Sequence, residues 1–436
     1  MITAASIVCL LPVKAEAKTI IVPDDYKSIQ EAIDHATDGD TVSIKEGTYN
    51  GPRNKTLIIN KSIHLVGDAE NTIINLDPPL VPMAIFTYQY MDYTNPIKVQ
   101  ADGVTLSGLT LNTPGGVISV EGNYVEFKNN SINTALWVNS TYVKIVNNFL
   151  NSTSYGVMLY GSHHEVTNNA LNGVQSQASY TIISSNKIAG TAVDGLVRID
   201  GSSNIIYGNE IKSDGWPGIQ LGRSNVNGTI IAENNITGTG ILLESASNSV
   251  VSGNRIEDGG GISLTMGQNN VFSMNHLENN TIGILLGDDQ TDIARKYGPS
   301  ASNNTVFHNN FIDNKQQGLD WNWLGTNQWD KDGEGNYWSD YNGIDWTFDG
   351  IGDSPYMIEE AKSFYAEATQ SQDNHPLMHP YDINKIDVQL PEWAEYSQAP
   401  SKNKGDESFP VAPVAIATLM SIALIAVFVY RAKARK

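Results

Sequence analysis

Cysteine is all but missing from this chain. The single thiol, Cys9, sits in an N-terminal apolar stretch from about Ala4 to Val13, so the rest of the chain can form no disulfide and no thiolate metal site. Positive charge is scarce as well. Lys and Arg number 27 against 47 Asp and Glu, and Arg431, Lys433, Arg435 and Lys436 crowd the last positions, leaving the remainder more acidic than the net charge of -20 suggests. Such a surface repels nucleic acid, which is excluded as a partner, and attracts cations or basic molecules. Long apolar runs are few. The N-terminal one is followed by Ala15-Glu16-Ala17, a small-x-small pattern that marks residues 1–17 as a signal peptide. The other runs from Val411 to Tyr430 over 20 uncharged residues, long enough at about 1.5 Å per residue to span the ~30 Å hydrocarbon core as a transmembrane helix. Pro413 falls in its first turn, where a missing N–H does no harm. The basic tail 431–436 is then cytoplasmic and the N-terminal domain extracellular, a single-pass arrangement at the cell membrane. Sequons at Asn54, Asn60, Asn129, Asn139, Asn151, Asn227, Asn235, Asn279 and Asn303 suit an exported glycoprotein.

What the chain does have is a repeat. Between residues 125 and 312 one phrase recurs: β-branched or apolar residues, then Asn, one variable residue, and Ile or Leu, as in VKIVNNFL, NIIYGNEI and SVVSGNRI. The aligned asparagines are Asn130, Asn148, Asn169, Asn186, Asn209, Asn234, Asn254, Asn275 and Asn310, at intervals of 18, 21, 17, 23, 25, 20, 21 and 35 residues. The last interval contains the polar stretch Asp288–Ser302, read as a loop inserted into one coil. A second phrase interleaves, a glycine and a short alternating apolar strand, as in GVMLYG from Gly156 and GILLES from Gly240. Neither phrase is long enough for a helix, and alternation over four or five residues is the period of a half-buried strand. Each interval therefore holds at least two short strands, and stacking them buries an aliphatic core that no single unit could build. The asparagine suits a left-handed corner between strands, and its amide can bond the backbone of the neighbouring coil to form a ladder.

A solenoid has two open ends. Near the first, Ser28-Ile29-Gln30-Glu31 is a capping box, and Ile29, Ala32, Ile33 and Ala36 line one face of a short helix; it is expected to seal the core against strand-edge pairing. After about Gly318 the composition changes. Trp321, Trp323, Trp329, Trp338 and Trp346 read as an aromatic plug over the last coil, and the first four are the candidates for stacking on carbohydrate. The expected organisation is a β-helix over 18–358 with an aromatic cap at about 315–358, a closing strap and stalk over 359–410, then the membrane helix.

The opening TIIVPDDYKSIQEAIDHATDGDTVSIKEGTY (Thr19–Tyr49) resembles the start of pectin-lyase-like right-handed parallel β-helix proteins. GNYWSDYNGIDWTFDGIGDSPYMI (Gly335–Ile358) and DNHPLM (Asp373–Met378) resemble the end of the NosD-like family, whose sequences abound among archaeal surface proteins. The resemblance covers roughly residues 19–380 and implies an all-β fold, with carbohydrate binding, sugar hydrolysis or periplasmic copper binding among the roles found in such families.

Candidate chemistry is sparse. Asp345, Asp349 and Asp353 with their glycines suit either a Ca²⁺ loop or a plain Asp/Gly turn; the resemblance implies Asp or Asn at the position held by Thr347. Copper needs imidazole or sulfur donors. His163 and His164 are adjacent and point to opposite faces, His276 and His308 read as surface turn residues, and His375 and His379 lie beside prolines. Catalysis on polysaccharide would need facing carboxylates, or a base with a charge-neutralising partner. Asp194, Arg198 and Asp200 on one coil, Glu233 and Glu244 on later coils, and Asp288 with Asp289 at a loop mouth are the candidates, and scattered surface charges explain them equally. The reading that results is a surface-anchored β-helix that binds extracellular or envelope polysaccharide without catalysis. The alternatives are a polysaccharide lyase, epimerase or hydrolase, a copper-binding protein, and a structural envelope component.

Overall fold

The computed structural model describes residues 16–383, except 53–54, 78–94, 153–154, 191–194, 216, 223–224, 288–299, 323–325 and 361–369, together with 391 and 393–394. It forms two compact units: residues up to Ile199 with Gly208–Ile219, and Asp200–Tyr207 with the chain from Gln220 onward. Each is a parallel β-solenoid, and the membrane span expected at 411–430 lies outside the described residues. Among those residues no helix is long and apolar enough to cross a membrane.

In the first unit a coil consists of three strands, such as Lys144–Val146, Phe149–Leu150 and Val157–Ser162. Each pairs in parallel with its counterpart one coil on, Ile145 with Val166, Leu150 with Leu171, Val157 with Val174. Because side chains alternate along a strand, the register stacks like on like. Leu106, Phe127, Ile145 and Val166 form one fully buried column. The sequence reading of at least two strands per coil holds, and the number is three, one of them often only two residues long. The helix Ile29–His35 begins at Ser28, whose hydroxyl accepts from the Glu31 N–H. It buries Ile29, Ala32 and Ile33 and packs against Thr19–Val22, Thr41–Ile44 and Leu57–Ile59. The Gln30 side chain both donates to the carbonyl and accepts from the N–H of Ile58, meeting the hydrogen-bonding groups of that strand. The Lys61 ammonium donates to the carbonyls of Ile33, Asp34 and Ala36 at the end of the helix, where a cation is favoured.

The second unit repeats the plan, for example with Val250–Ser252, Arg255–Glu257 and Gly261–Gln268. Ile206, Ile231, Val251, Phe272 and Val306 form one core column. Ile256, Leu277, Phe311 and Trp338 form another.

The recurrent asparagines turn inward at the corner between the first and second strands of each coil. In the first unit the backbone N–H and the amide Nδ2 of Asn130 both donate to Oδ1 of Asn148, at 2.9 and 3.0 Å. Asn148 does the same to Asn169, Asn169 to Asn186, and Asn186 to Asn209. The second amide hydrogen reaches back to a carbonyl of the preceding coil, as from Asn148 to Phe127. Every donor and acceptor of the side chain is thereby used, which only a carboxamide can do. In the second unit the ladder runs Asn234, Asn254, Asn275, Asn309, Asn336.

Two expectations need correction here. The left-handed residue of the corner precedes the ladder asparagine: Asn147, Glu233, Met274 and His308 have φ of 57°, 52°, 56° and 57°. Asn310 is not in the ladder either. In His308-Asn309-Asn310-Phe311 the corner takes the first asparagine, because the inward residue two positions on is Phe311 and not Ile312.

Further ladders went unread in the sequence. Asn270, Asn304 and Asn327 line a second corner, and Asn280 and Asn314 a third. At the end of the second unit two ladders stop on buried carboxylates, which accept and do not donate. Asn336 donates to Asp373 and Asn327 to Asp320. Each carboxylate also takes an indole N–H, Trp338 to Asp373 at 2.9 Å and Trp329 to Asp320 at 3.1 Å. Burial raises both carboxyls against these hydrogen bonds, Asp373 up to about 6.

One corner of the first unit uses a histidine in this role. His164 Nδ1 accepts from the Val143 N–H at 3.2 Å, and Nε2 faces the Tyr160 carbonyl at 3.0 Å, which requires the neutral Nε2–H tautomer. Burial lowers its pKa from 6.5 to about 4. The unfolded chain therefore binds the proton first as pH falls. Stability is full above about 6.5 and declines towards pH 4, by on the order of 3 kcal/mol in total.

Two outcomes follow from the ladders. His164→Asn should remove most of that decline, read by hydrogen exchange at Val143 between pH 7 and 4, because an amide fills the same place without titrating. Asn254→Ala should destabilise its surroundings by about 3 kcal/mol or more, since the Asn234 donors lose a buried acceptor. Native-state exchange at the Asn234 amide measures it, and an unchanged rate would refute the role given to the ladder.

Candidate binding groove

Outward-facing residues on the second strand of each coil also stack, and in the second unit they form a polar row. Asn235, Arg255, His276, Asn310 and Tyr337 occupy equivalent positions. Thr237, Glu257, Glu278 and Ile312 run beside them. Neighbouring strands lie about 4.8 Å apart, so this is a ruler of polar groups at nearly constant spacing. A groove of about 570 Å³ lies along it, lined by Glu233, Asn235, Arg255, His276 and Asn310 on one side and by Pro380–Ile383 on the other.

The strap Pro380–Ile383 is held by the asparagine that left the ladder. Asn310 Nδ2 donates to the Tyr381 carbonyl at 2.8 Å, and its Oδ1 accepts from the Tyr381 N–H at 2.7 Å. The Tyr381 ring stacks on His308, with centroids 4.1 Å apart and planes at 11°. Burial lowers the His308 pKa, against the opposing pull of Glu334, whose Oε2 lies 2.6 Å from Nε2.

Charges on the groove floor are paired with one another. The Arg255 guanidinium contacts both Glu257 and Glu278, and His276 Nε2 lies 2.8 Å from Glu278. Glu233 accepts from the Tyr207 hydroxyl at 2.9 Å.

The residues singled out in the sequence are placed differently. Trp329 and Trp338 are each 1% exposed, meet at a tilted angle in the core and donate to the carboxylates that end the ladders, so neither presents a face to a sugar. Trp321 is half-buried; Trp323, Asp194, Asp288 and Asp289 lie outside the described residues. Arg198 lies outward in register with Gln175, and Asp200 is half-buried. Asp345, Asp349 and Asp353 fall on one loop, but their oxygens accept from its own backbone. Asp345 takes the N–H groups of Asp349 and Gly350 and the Thr347 hydroxyl, Asp349 takes Ile351, and Asp353 takes Trp346. The groove residues Arg255, His276, Asn310 and Tyr381 were missed. His276 read as a turn residue, and the row exists only once the register is known.

A stacked parallel solenoid with these corner ladders defines a β-helix protein. A family model described as "Periplasmic copper-binding protein (NosD)" matches residues 90–239 and 182–343, more than half of the chain, and the chain belongs to that family. No curated protein matches it. Among solved structures it is similar to the catalytic domain of a GH87 alpha-1,3-glucanase in complex with nigerose, at 15% identity and a TM-score of 0.52, covering 76% of this chain and 71% of that one. A PL6 alginate lyase in complex with a trisaccharide matches at 12% identity and a TM-score of 0.45, covering 82% of this chain and 89% of that one. A PL6 family polysaccharide lyase from Pseudopedobacter saltans matches at 16% and 0.42, covering 69% and 84%. At its 15% identity the likeness to the glucanase domain carries the fold alone.

The family description raises copper, which the residues present must be able to hold. Among the described residues Glu257, His276 and Glu278 bring three donor atoms within 4.8 Å of one another. They offer a single imidazole and no sulfur, and Arg255 already holds both carboxylates. A cation would have to displace that guanidinium, so the cluster as it stands does not fit a copper site. Arg255→Gln should raise Cu²⁺ affinity by about tenfold, equivalent to ~1.4 kcal/mol, and adding His276→Ala should abolish the gain. Calorimetric titration measures both, and equal affinities in wild type and Arg255→Gln would show that the guanidinium is not the barrier.

Proposed function

We propose that this is an exported, membrane-anchored protein that binds an extended polymer, an extracellular or envelope polysaccharide, without transforming it. The observation that carries the reading is the row Asn235, Arg255 and His276, which repeats polar groups at strand spacing along the groove beside the strap that Asn310 holds. A polymer of polar units can meet such a row with each successive residue, and the exposed edge beside Tyr381 offers an apolar flank. The pairing of Glu257 and Glu278 with Arg255 supports binding over hydrolysis, since a catalytic pair must be free to exchange protons with substrate. Export rests on the signal-like residues 1–17 and anchoring on the uncharged run 411–430.

The full-length chain in detergent should bind a subset of acidic or neutral cell-surface glycans on an array. Arg255→Ala combined with Tyr381→Ala should weaken that binding by about tenfold or more, the loss expected for one charged hydrogen bond and one stacking contact. No binding to any glycan would sink the proposal, and release of reducing ends or unsaturated sugars would replace it with an enzyme.

A further inference from the structure

The loop from Ile344 to Asp353 carries an exposed apolar display that the groove does not explain. Ile344, Trp346 and Phe348 are 53%, 73% and 89% exposed. They alternate with Asp345, Thr347 and Asp349. Phe348 has φ of +58°, in the left-handed region that bulky side chains avoid.

The loop is built to hold this arrangement. Asp345 keeps its charge because hydrogen bonds from Gly350, Phe348, Asp349 and Thr347 outweigh its desolvation and lower its pKa. Asp349 and Asp353 bind further backbone N–H groups of the same loop. At its base the Asp353 N–H donates to the Ile344 carbonyl at 3.0 Å. Gly343 and Gly352 let the Tyr341 hydroxyl pass so close that a Cβ at either would collide with it. That hydroxyl donates to the Ser354 carbonyl at 2.6 Å. The carboxylates read in the sequence as either a Ca²⁺ loop or a plain Asp/Gly turn thus fix a strained turn whose apolar side chains face water.

The position of the loop relative to the rest of the chain suggests what covers it. The Gly352 N–H donates to the Pro376 carbonyl at 2.8 Å, and the Met378 N–H to the Gly350 carbonyl at 2.9 Å. The last described residue, Ala394, is buried, and the 16 residues 395–410 separate it from the uncharged run beginning at Val411. At no more than about 3.5 Å per residue, such a stretch reaches at most roughly 56 Å. The unit that carries the loop is therefore tethered close to the expected anchor.

We infer that Ile344, Trp346 and Phe348 form a second membrane contact, inserting shallowly into the lipid interface beside the C-terminal anchor. Trp is favoured at that depth, and the apolar neighbours gain by leaving water. The three carboxylates at the loop base make zwitterionic lipid the preferred surface and disfavour anionic lipid. The inference rests on the anchor reading of 411–430 and is independent of the groove.

The test uses the full-length chain reconstituted in phosphatidylcholine vesicles with and without brominated acyl chains, comparing wild type with Trp346→Phe. Bromine should quench a component of the emission that Trp346→Phe lacks. Phe348→Ser should reduce that component, as should replacing part of the lipid by phosphatidylglycerol, while glycan binding stays unchanged. Equal quenching in wild type and Trp346→Phe overturns the inference. If the chain still floats with the vesicles in that case, the anchor survives and only the loop is removed; if it does not float, both fall. A detergent-solubilised dimer that Phe348→Ser converts to a monomer would assign the surface to a second copy instead.

Discussion

The inward carboxamide at each corner is the interaction on which the rest of this structure depends. An asparagine placed in a column of Ile and Leu would be costly if any of its groups lacked a partner. Here Oδ1 accepts from the backbone and side chain of the preceding coil, Nδ2 also donates to a carbonyl of that coil, and the backbone N–H and Nδ2 both donate to the carboxamide of the next. That double contact fixes where each coil sits on the next. Coils can therefore differ in length, from 17 to 25 residues over most of the repeat, because the slack is taken up in loops while the corners stay aligned. The outer row of the groove inherits its regular spacing from the same constraint.

How much of this was legible depended on how local the cause was. The ladder asparagines recur at near-constant distance and are followed by an inward Ile or Leu, so their alignment could be read up to Asn275. It failed at Asn309 and Asn310, where two asparagines stand together and Phe311 replaces the aliphatic residue. The helix Ile29–His35 was legible from its capping box because a cap and its donor lie three residues apart. The left-handed corner was misplaced by one position, since Glu233 and Met274 are not residues that signal positive φ.

The ladder ends and the groove could not be found in the same way. Asp373 meets Trp338 across 35 positions, and Tyr381 meets Asn310 across 71. Nothing in the local sequence distinguishes Asp320 or Asp373 from a surface acid. The tryptophan cluster read as an aromatic plug, with sugar stacking as the alternative, and Trp329 and Trp338 are buried as a plug requires. What the sequence did not reveal is that each indole N–H also serves a buried carboxylate. Phe348, 89% exposed, belongs to a loop whose acids suggested either a Ca²⁺ site or a plain turn.

The identical hydrogen-bonding faces of successive coils bear on how such a chain can lengthen over time. An internal coil offers the same acceptor to the coil before it and the same donors to the coil after it, so duplicating or deleting one whole turn leaves every remaining corner satisfied. Only the final turn differs, where Asp320 and Asp373 receive donors that would otherwise point at nothing. Variation in the number of turns is consequently tolerated in the interior and constrained at the tail, and a protein of this build can change its length by unequal recombination without redesigning its core.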